Sequence, residues 1–99
     1  MIKCNIINNL HEVYDKYDAF IVDIWGVLWD GLEAYDYARD TLEELRKNKK
    51  NIVLLSNAPR RSSLVAERLS SIGINKNHYD TIISSGEVCR EYFLDNSLN

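Results

Sequence analysis

The chain has 99 residues, 45% of them apolar and 10% aromatic, enough for one small layered domain and no more. Fifteen acidic against twelve basic residues give a net charge of -3 and a pI near 5.3, which argues against a nucleic-acid binder; no apolar stretch approaches the roughly 20 residues that span a bilayer. Cys4 and Cys89 are far apart and lack metal-ligand spacing, and the N-terminus has no signal-type apolar run, so a reduced, cytoplasmic protein is expected.

Ile6, Leu10, Val13 and Tyr17 recur at helical spacing and predict an amphipathic helix over residues 5–16. Residues 19–24, Ala-Phe-Ile-Val-Asp-Ile, form an apolar run interrupted by one carboxylate, the pattern of a strand buried on both faces of a parallel sheet. After a turn-rich stretch over 25–33, Tyr35, Ala38, Leu42 and Leu45 mark one face of a helix whose other face is charged. The cluster Arg46, Lys47, Lys49 and Lys50 falls where that helix ends and complements its dipole. Residues 51–56 read as a second buried strand. Pro59 suits the first turn of the next helix, Val65, Leu69 and Ile72 give its apolar stripe, and Gly73 stops it. Residues 80–84 predict a third strand, and Ser84-Ser85-Gly86-Glu87 fits a capping box opening a helix to about residue 94. The order, a helix and then βαβαβα, implies an α/β fold: a partial doubly wound parallel sheet with right-handed crossovers.

Ligands of open α/β sheets bind beyond the carboxyl ends of the strands, and all three runs here end in polar residues. Asp23 stands out, because a carboxylate within an apolar strand needs a partner, whether a ligand, a metal or the backbone donors of a neighbouring turn. Ser56 is either a strand-end turn former or, if its strand neighbours that of Asp23, part of an anion pocket with the backbone N–H groups of the turn into the Pro59 helix. Arg60 reads as a substrate contact or as a solvated helix-start residue, Glu87 as a cap, and His11 and His78 as surface residues.

Asp23-Ile24-Trp25-Gly26-Val27-Leu28 resembles the first motif of the haloacid dehalogenase-like hydrolases, D-x-D-G-[VT]-L, and Leu55-Ser56-Asn57 resembles the second. The longer strings from Tyr17 to Gly31 and from Leu54 to Arg60 are similar to the class IIA branch, relatives of the NagD-type phosphatases, and the likeness runs over about residues 13–93. The resemblance implies a Rossmann-like core and Mg²⁺-dependent phosphoryl transfer from a small phosphorylated substrate through an aspartyl-phosphate on Asp23. It also implies that the Asp23 carboxylate and the Trp25 backbone carbonyl hold the metal. Ser56 would then bind the phosphate, with Asn57 shaping the turn beside it, and residues 25–33 would form a flap in which Trp25 and Trp29 exclude water.

Two departures qualify this. Trp25 stands where the family carries its second aspartate, the general acid and base, a role worth about 10²–10⁴ in rate; the D-x-W-G-V string is nonetheless typical of this branch. The lysine and metal-carboxylate motifs of the family follow an inserted cap domain, and Lys76 is misplaced for that lysine. Residues 1–99 are therefore expected to be one partial core domain, the N-terminal portion without the cap or the C-terminal half of the core, inactive alone and holding Mg²⁺ weakly. A complementing C-terminal half is then an expected partner. Two other readings stand beside this one: a non-catalytic remnant that binds a partner through an open sheet edge, and a phospho-accepting receiver-like domain, which the position of Asp23 on the first strand disfavours.

Overall fold

The three apolar runs become strands β1 (Ala19–Asp23), β2 (Asn51–Ser56) and β3 (Thr81–Ser84) of one parallel sheet in the order β1-β2-β3. The computed structural model describes residues 10–96. Helix α1 (Ala38–Lys47) connects β1 to β2, α2 (Ser62–Ser71) connects β2 to β3, and α3 (Ser85–Asp95) follows β3. The α/β class and the alternation of strand and helix are as the apolar periodicity predicts.

Successive right-handed crossovers in this strand order leave both connecting helices on the same side of the sheet. Leu42 and Leu45 of α1 and Val65 and Leu69 of α2 accordingly form one core with Ile52 and Leu54 of β2, both of which are completely buried. The opposite face is open: Ile21 is 74% exposed, Leu55 45% and Ile83 42%. The expectation that β1 and β2 are buried on both faces is therefore wrong for the described residues. An apolar run records that both faces avoid polar groups, but not that both are covered.

Other expectations fail locally. Residues 5–9 of the N-terminal helix lie outside the described residues. Residues 10–16 form two 3-10 turns, Leu10–Glu12 and Tyr14–Lys16, in place of one α-helix. Tyr17 must already be extended to lead into β1. Pro59 is not in the first turn of α2, which starts three residues later with Arg61 as its extended N-cap. His78 is buried, not at the surface: its Nδ1 accepts from the Asn75 amide at 3.0 Å and its Nε2 lies 3.1 Å from Glu43 Oε1.

Within the basic cluster at the end of α1, Arg46 has a structural role. Arg46 donates to Asp80 Oδ2 at 2.8 Å and to the Asn77 carbonyl at 3.2 Å, and the same Asp80 oxygen accepts from the Ile52 amide at 2.7 Å. One carboxylate thus ties α1 and β2 to the start of β3. The Ile52 amide and then Arg46 hold the Asp80 carboxyl below the usual carboxylate range.

One-sided packing gives a direct test. Leu54→Ala should lower unfolding stability by about 2–5 kcal/mol, whereas Ile21→Ala should change it by no more than about 0.5 kcal/mol. Equal losses in chemical denaturation of the two variants would mean that the open face is in fact covered.

Candidate active site

Parallel register pairs Asp23 with Leu55 and Ser56 with Ser84, so the carboxyl ends of the three strands finish almost level. There a cleft of about 560 Å³ is lined by Asp23, Trp25, Leu55, Ser56, Asn57 and Ser85. The structure brings Asp23, Trp25, Ser56 and Asn57 together, as their strand-end positions predict. Ser85 is the addition: it was legible as a polar strand-end residue but read only as part of a helix cap.

Asp23 is exposed, on the open face of the sheet. A cost of burial therefore does not explain its presence in the strand. Its Oδ1 accepts from the next amide, Ile24 N–H, at 2.8 Å, which fixes the rotation of the carboxylate while leaving it accessible. Ser56 is buried, and its Oγ accepts from the Ala58 amide at 3.1 Å; the hydroxyl holds the turn after β2 at the cleft.

The segment after β1 is folded tightly on itself. The Ile24 carbonyl accepts from the amides of Val27, Leu28 and Trp29, the Gly26 amide returns to the Trp29 carbonyl at 2.9 Å, and Tyr35 N–H reaches the Leu28 carbonyl at 2.9 Å. Gly26 makes this turn at φ 79°, a conformation that strains residues with a Cβ. Asp30 Oδ1 closes the outer bend by accepting from Leu32 and Glu33 amides at 2.8 and 2.9 Å. Gly31 has φ 102°, and a Cβ there would collide with the Trp25 ring. The Trp25 ring thus lies against a bare backbone on one side and near Trp29 on the other, at a centroid distance of 5.5 Å.

The segment after β2 is held by α3. Ser84 Oγ donates to the Arg60 carbonyl at 2.7 Å and accepts from the Glu87 amide at 3.2 Å, while Gly86 N–H donates to the Ala58 carbonyl at 3.1 Å. Glu87 does not complete the expected capping box on its own helix. Its Oε1 instead accepts from both the amide and the hydroxyl of Ser62, at 3.1 and 3.0 Å, and pairs with Arg61 Nε at 3.5 Å. The first turn of α2 thus already carries an anion from its own chain. The Ser62 hydroxyl, then its amide, and more weakly Arg61 lower the Glu87 pKa against partial desolvation.

Arg60 is exposed and lies beside Ser56 and Asn57 in a second cleft. Lys76 lies in the 3-10 turn Lys76–His78, before β3, at the opposite end of the sheet from Asp23. Among the described residues there is no group of three or more His, Cys, Asp or Glu suited to a metal ion. Among the same described residues, no helix is long and apolar enough to cross a membrane.

The family model for haloacid dehalogenase-like hydrolases matches residues 20–98. The chain is 31% identical over 91 residues to phosphoglycolate phosphatase 2 of Arabidopsis thaliana, covering 91% of this chain and 30% of that protein. It is 41% identical over 46 residues to a 4-nitrophenylphosphatase of Schizosaccharomyces pombe, 46% of this chain and 15% of the relative. A crystal structure of a haloacid dehalogenase-like hydrolase from Brucella suis 1330 superposes with a TM-score of 0.83 at 31% identity, over 91% of this chain and 33% of that one. The chain thus spans about a third of the length of the first of these relatives and of the superposed structure.

The clamp from α3 can be broken in two ways. A Cβ on Gly86 would stand 2.5 Å from the Arg60 backbone nitrogen, so Gly86→Ala should cost about 1–3 kcal/mol through overpacking, measured by thermal or urea unfolding. Because the folded pKa of Glu87 is lowered, its stabilisation is present above the ordinary Glu pKa of about 4.3 and is lost as pH falls through the folded value. The melting temperature should therefore fall on acidification below about pH 5, and Glu87→Gln should flatten that fall; an unchanged slope refutes the role given to Glu87.

Proposed function

This chain belongs to the haloacid dehalogenase-like hydrolase family, and we propose that it carries the nucleophile of a phosphatase acting on small phosphorylated substrates. Asp23 attacks phosphorus, its carboxylate rotation held by the Ile24 amide; the bond from phosphorus to the substrate's ester oxygen breaks with its electron pair on that oxygen, and water then hydrolyses the resulting aspartyl-phosphate. Ser56 and Asn57 bind phosphate oxygens at the rim of the same cleft, and Arg60 contacts the substrate from its neighbour. The observation that carries this reading is the accessible, oriented carboxylate at the strand end, with a hydroxyl on the adjacent strand end lining the same space.

Mg²⁺ is the implied cofactor. The Asp23 carboxylate and the Trp25 carbonyl are the donors this chain offers, and a small hard cation that keeps several waters and takes one or two carboxylates plus a phosphate fits so sparse a set. When bound, it would offset the charge of the phosphate against that of Asp23. Turnover needs a cation beside the nucleophile; the described residues place neither a lysine nor a second carboxylate in the cleft. The reading is therefore of one partial core domain, inactive alone.

A second reading rests on the open sheet face. Ile21, Leu55 and Ile83 are exposed together, and an uncovered apolar face and sheet edge suit a complementing segment that supplies the missing lysine and carboxylates. If that segment has no catalytic residues, the chain is a partner-binding remnant.

Joining the chain to a downstream segment with the lysine and carboxylate motifs should yield Mg²⁺-dependent phosphate release from 4-nitrophenyl phosphate. Asp23→Asn should lower kcat at least about a thousandfold, and Ser56→Ala should act mainly on KM. No release from a broad panel of phosphoesters would sink the phosphatase reading.

A further inference from the structure

A cavity of about 510 Å³ lies between the turns that precede β1 and helix α1, and among the described residues it shares no lining residue with the clefts at the strand ends. Its size is that of a small-molecule site. One wall is a single face of α1 and its N-cap: Tyr37, Thr41, Glu44 and Leu45 stand at i, i+4, i+7 and i+8, a helical stripe of neighbouring side chains. Leu10, His11 and Tyr14 form the facing wall, with the His11 and Tyr14 rings edge to face at a centroid distance of 5.3 Å. The Tyr37 ring is stacked parallel to that of Tyr35 at 6.0 Å. Leu45 is buried in the core and Leu10 packs against it, so the cavity has an apolar base, aromatic sides and one carboxylate.

That carboxylate is in an unfavourable place for its charge. Glu44 is half-buried and lies in the last turn of α1, where the negative end of the helix dipole opposes an acid. Among the described residues it has no ion pair: Arg39 and His78 pair with Glu43, Arg46 with Asp80, and Arg61 with Glu87. A cation in the cavity would answer both the carboxylate and the dipole, and the Tyr14 and Tyr37 rings would add cation–π attraction. An anion would be repelled by Glu44, and a neutral apolar ligand would leave a half-buried charge without a partner. We propose that the cavity binds a small organic ammonium ion with an apolar body. The ammonium group donates to the Glu44 carboxylate and the Thr41 hydroxyl, and the hydrocarbon part lies against Leu10 and Leu45. Asp23 takes no part, so the inference is independent of the phosphatase reading.

The test is NMR titration of the 99-residue chain with benzylammonium and with benzyl alcohol, which share a ring and differ in the charge of the head group. Benzylammonium should bind about tenfold more tightly and should shift the His11 ring and Thr41 methyl signals. Glu44→Gln keeps the size of the side chain and removes its charge, and should bring the affinity ratio down to about twofold. Tyr37→Leu, at an exposed position that makes no side-chain cap, should weaken benzylammonium about threefold more than benzyl alcohol. Equal affinities, a ratio unchanged in Glu44→Gln, or absence of binding by benzylammonium overturns the proposal. Shifts of the same signals on raising the protein concentration without amine would mean that a second copy of the chain fills the cavity, and overturn it as well.

Discussion

Parallel pairing of Asp23 with Leu55 brings the ends of β1 and β2 level, and the site is referred to that register. A slip of β1 by one residue against β2 would move Asp23 to the helix-covered face while Ser56 stayed where it is. The register is held by burial, since Phe20 and Val22 must sit beside Ile52 and Leu54 over α1 and α2. Asp80 supports it from the far end by accepting from the Ile52 amide while engaged with Arg46. A site with an accessible carboxylate and few contacts of its own is thus positioned by apolar packing beneath it.

The segment that carries Asn57 and Arg60 is positioned differently, by polar contacts from the helix after the third strand. Ser84, Gly86 and Glu87 engage the backbone of residues 58–62 at several points. Glu87 in particular occupies the positive end of α2. It also follows that β3, which contributes no charged group to the cleft, matters to the site through the helix it launches.

Much of this was legible in the sequence because the relevant signals are short-range. The bounds of β2, the strand-end positions of Asp23 and Ser56, and the stop at Gly73, which takes φ 92°, follow from apolar runs and local backbone needs. What could not be read depends on partners distant in sequence. Glu87 looks like a cap for its own helix and serves α2, 25 residues away. His78 looks like a surface loop residue and is buried against Glu43, 35 residues away. One-sided coverage of the sheet follows from strand order, which no single run records. The start of α2 was misplaced because proline is compatible with a first helical turn and equally with the extended lead-in seen here.

Trp25 links the two halves of the picture. Replacing a carboxylate by an indole removes a titratable group, yet the surrounding chain is built to accommodate the ring: Gly31 leaves room for it, and Trp29 lies beside it. A ring left behind by the decay of an acid-base residue would have no need of a matched glycine at positive φ and a second aromatic neighbour. Gly31 would instead be free to carry a Cβ, at the cost of another conformation in the bend that Asp30 closes. The fit between these residues makes the indole an integral part of the packing of the segment after β1.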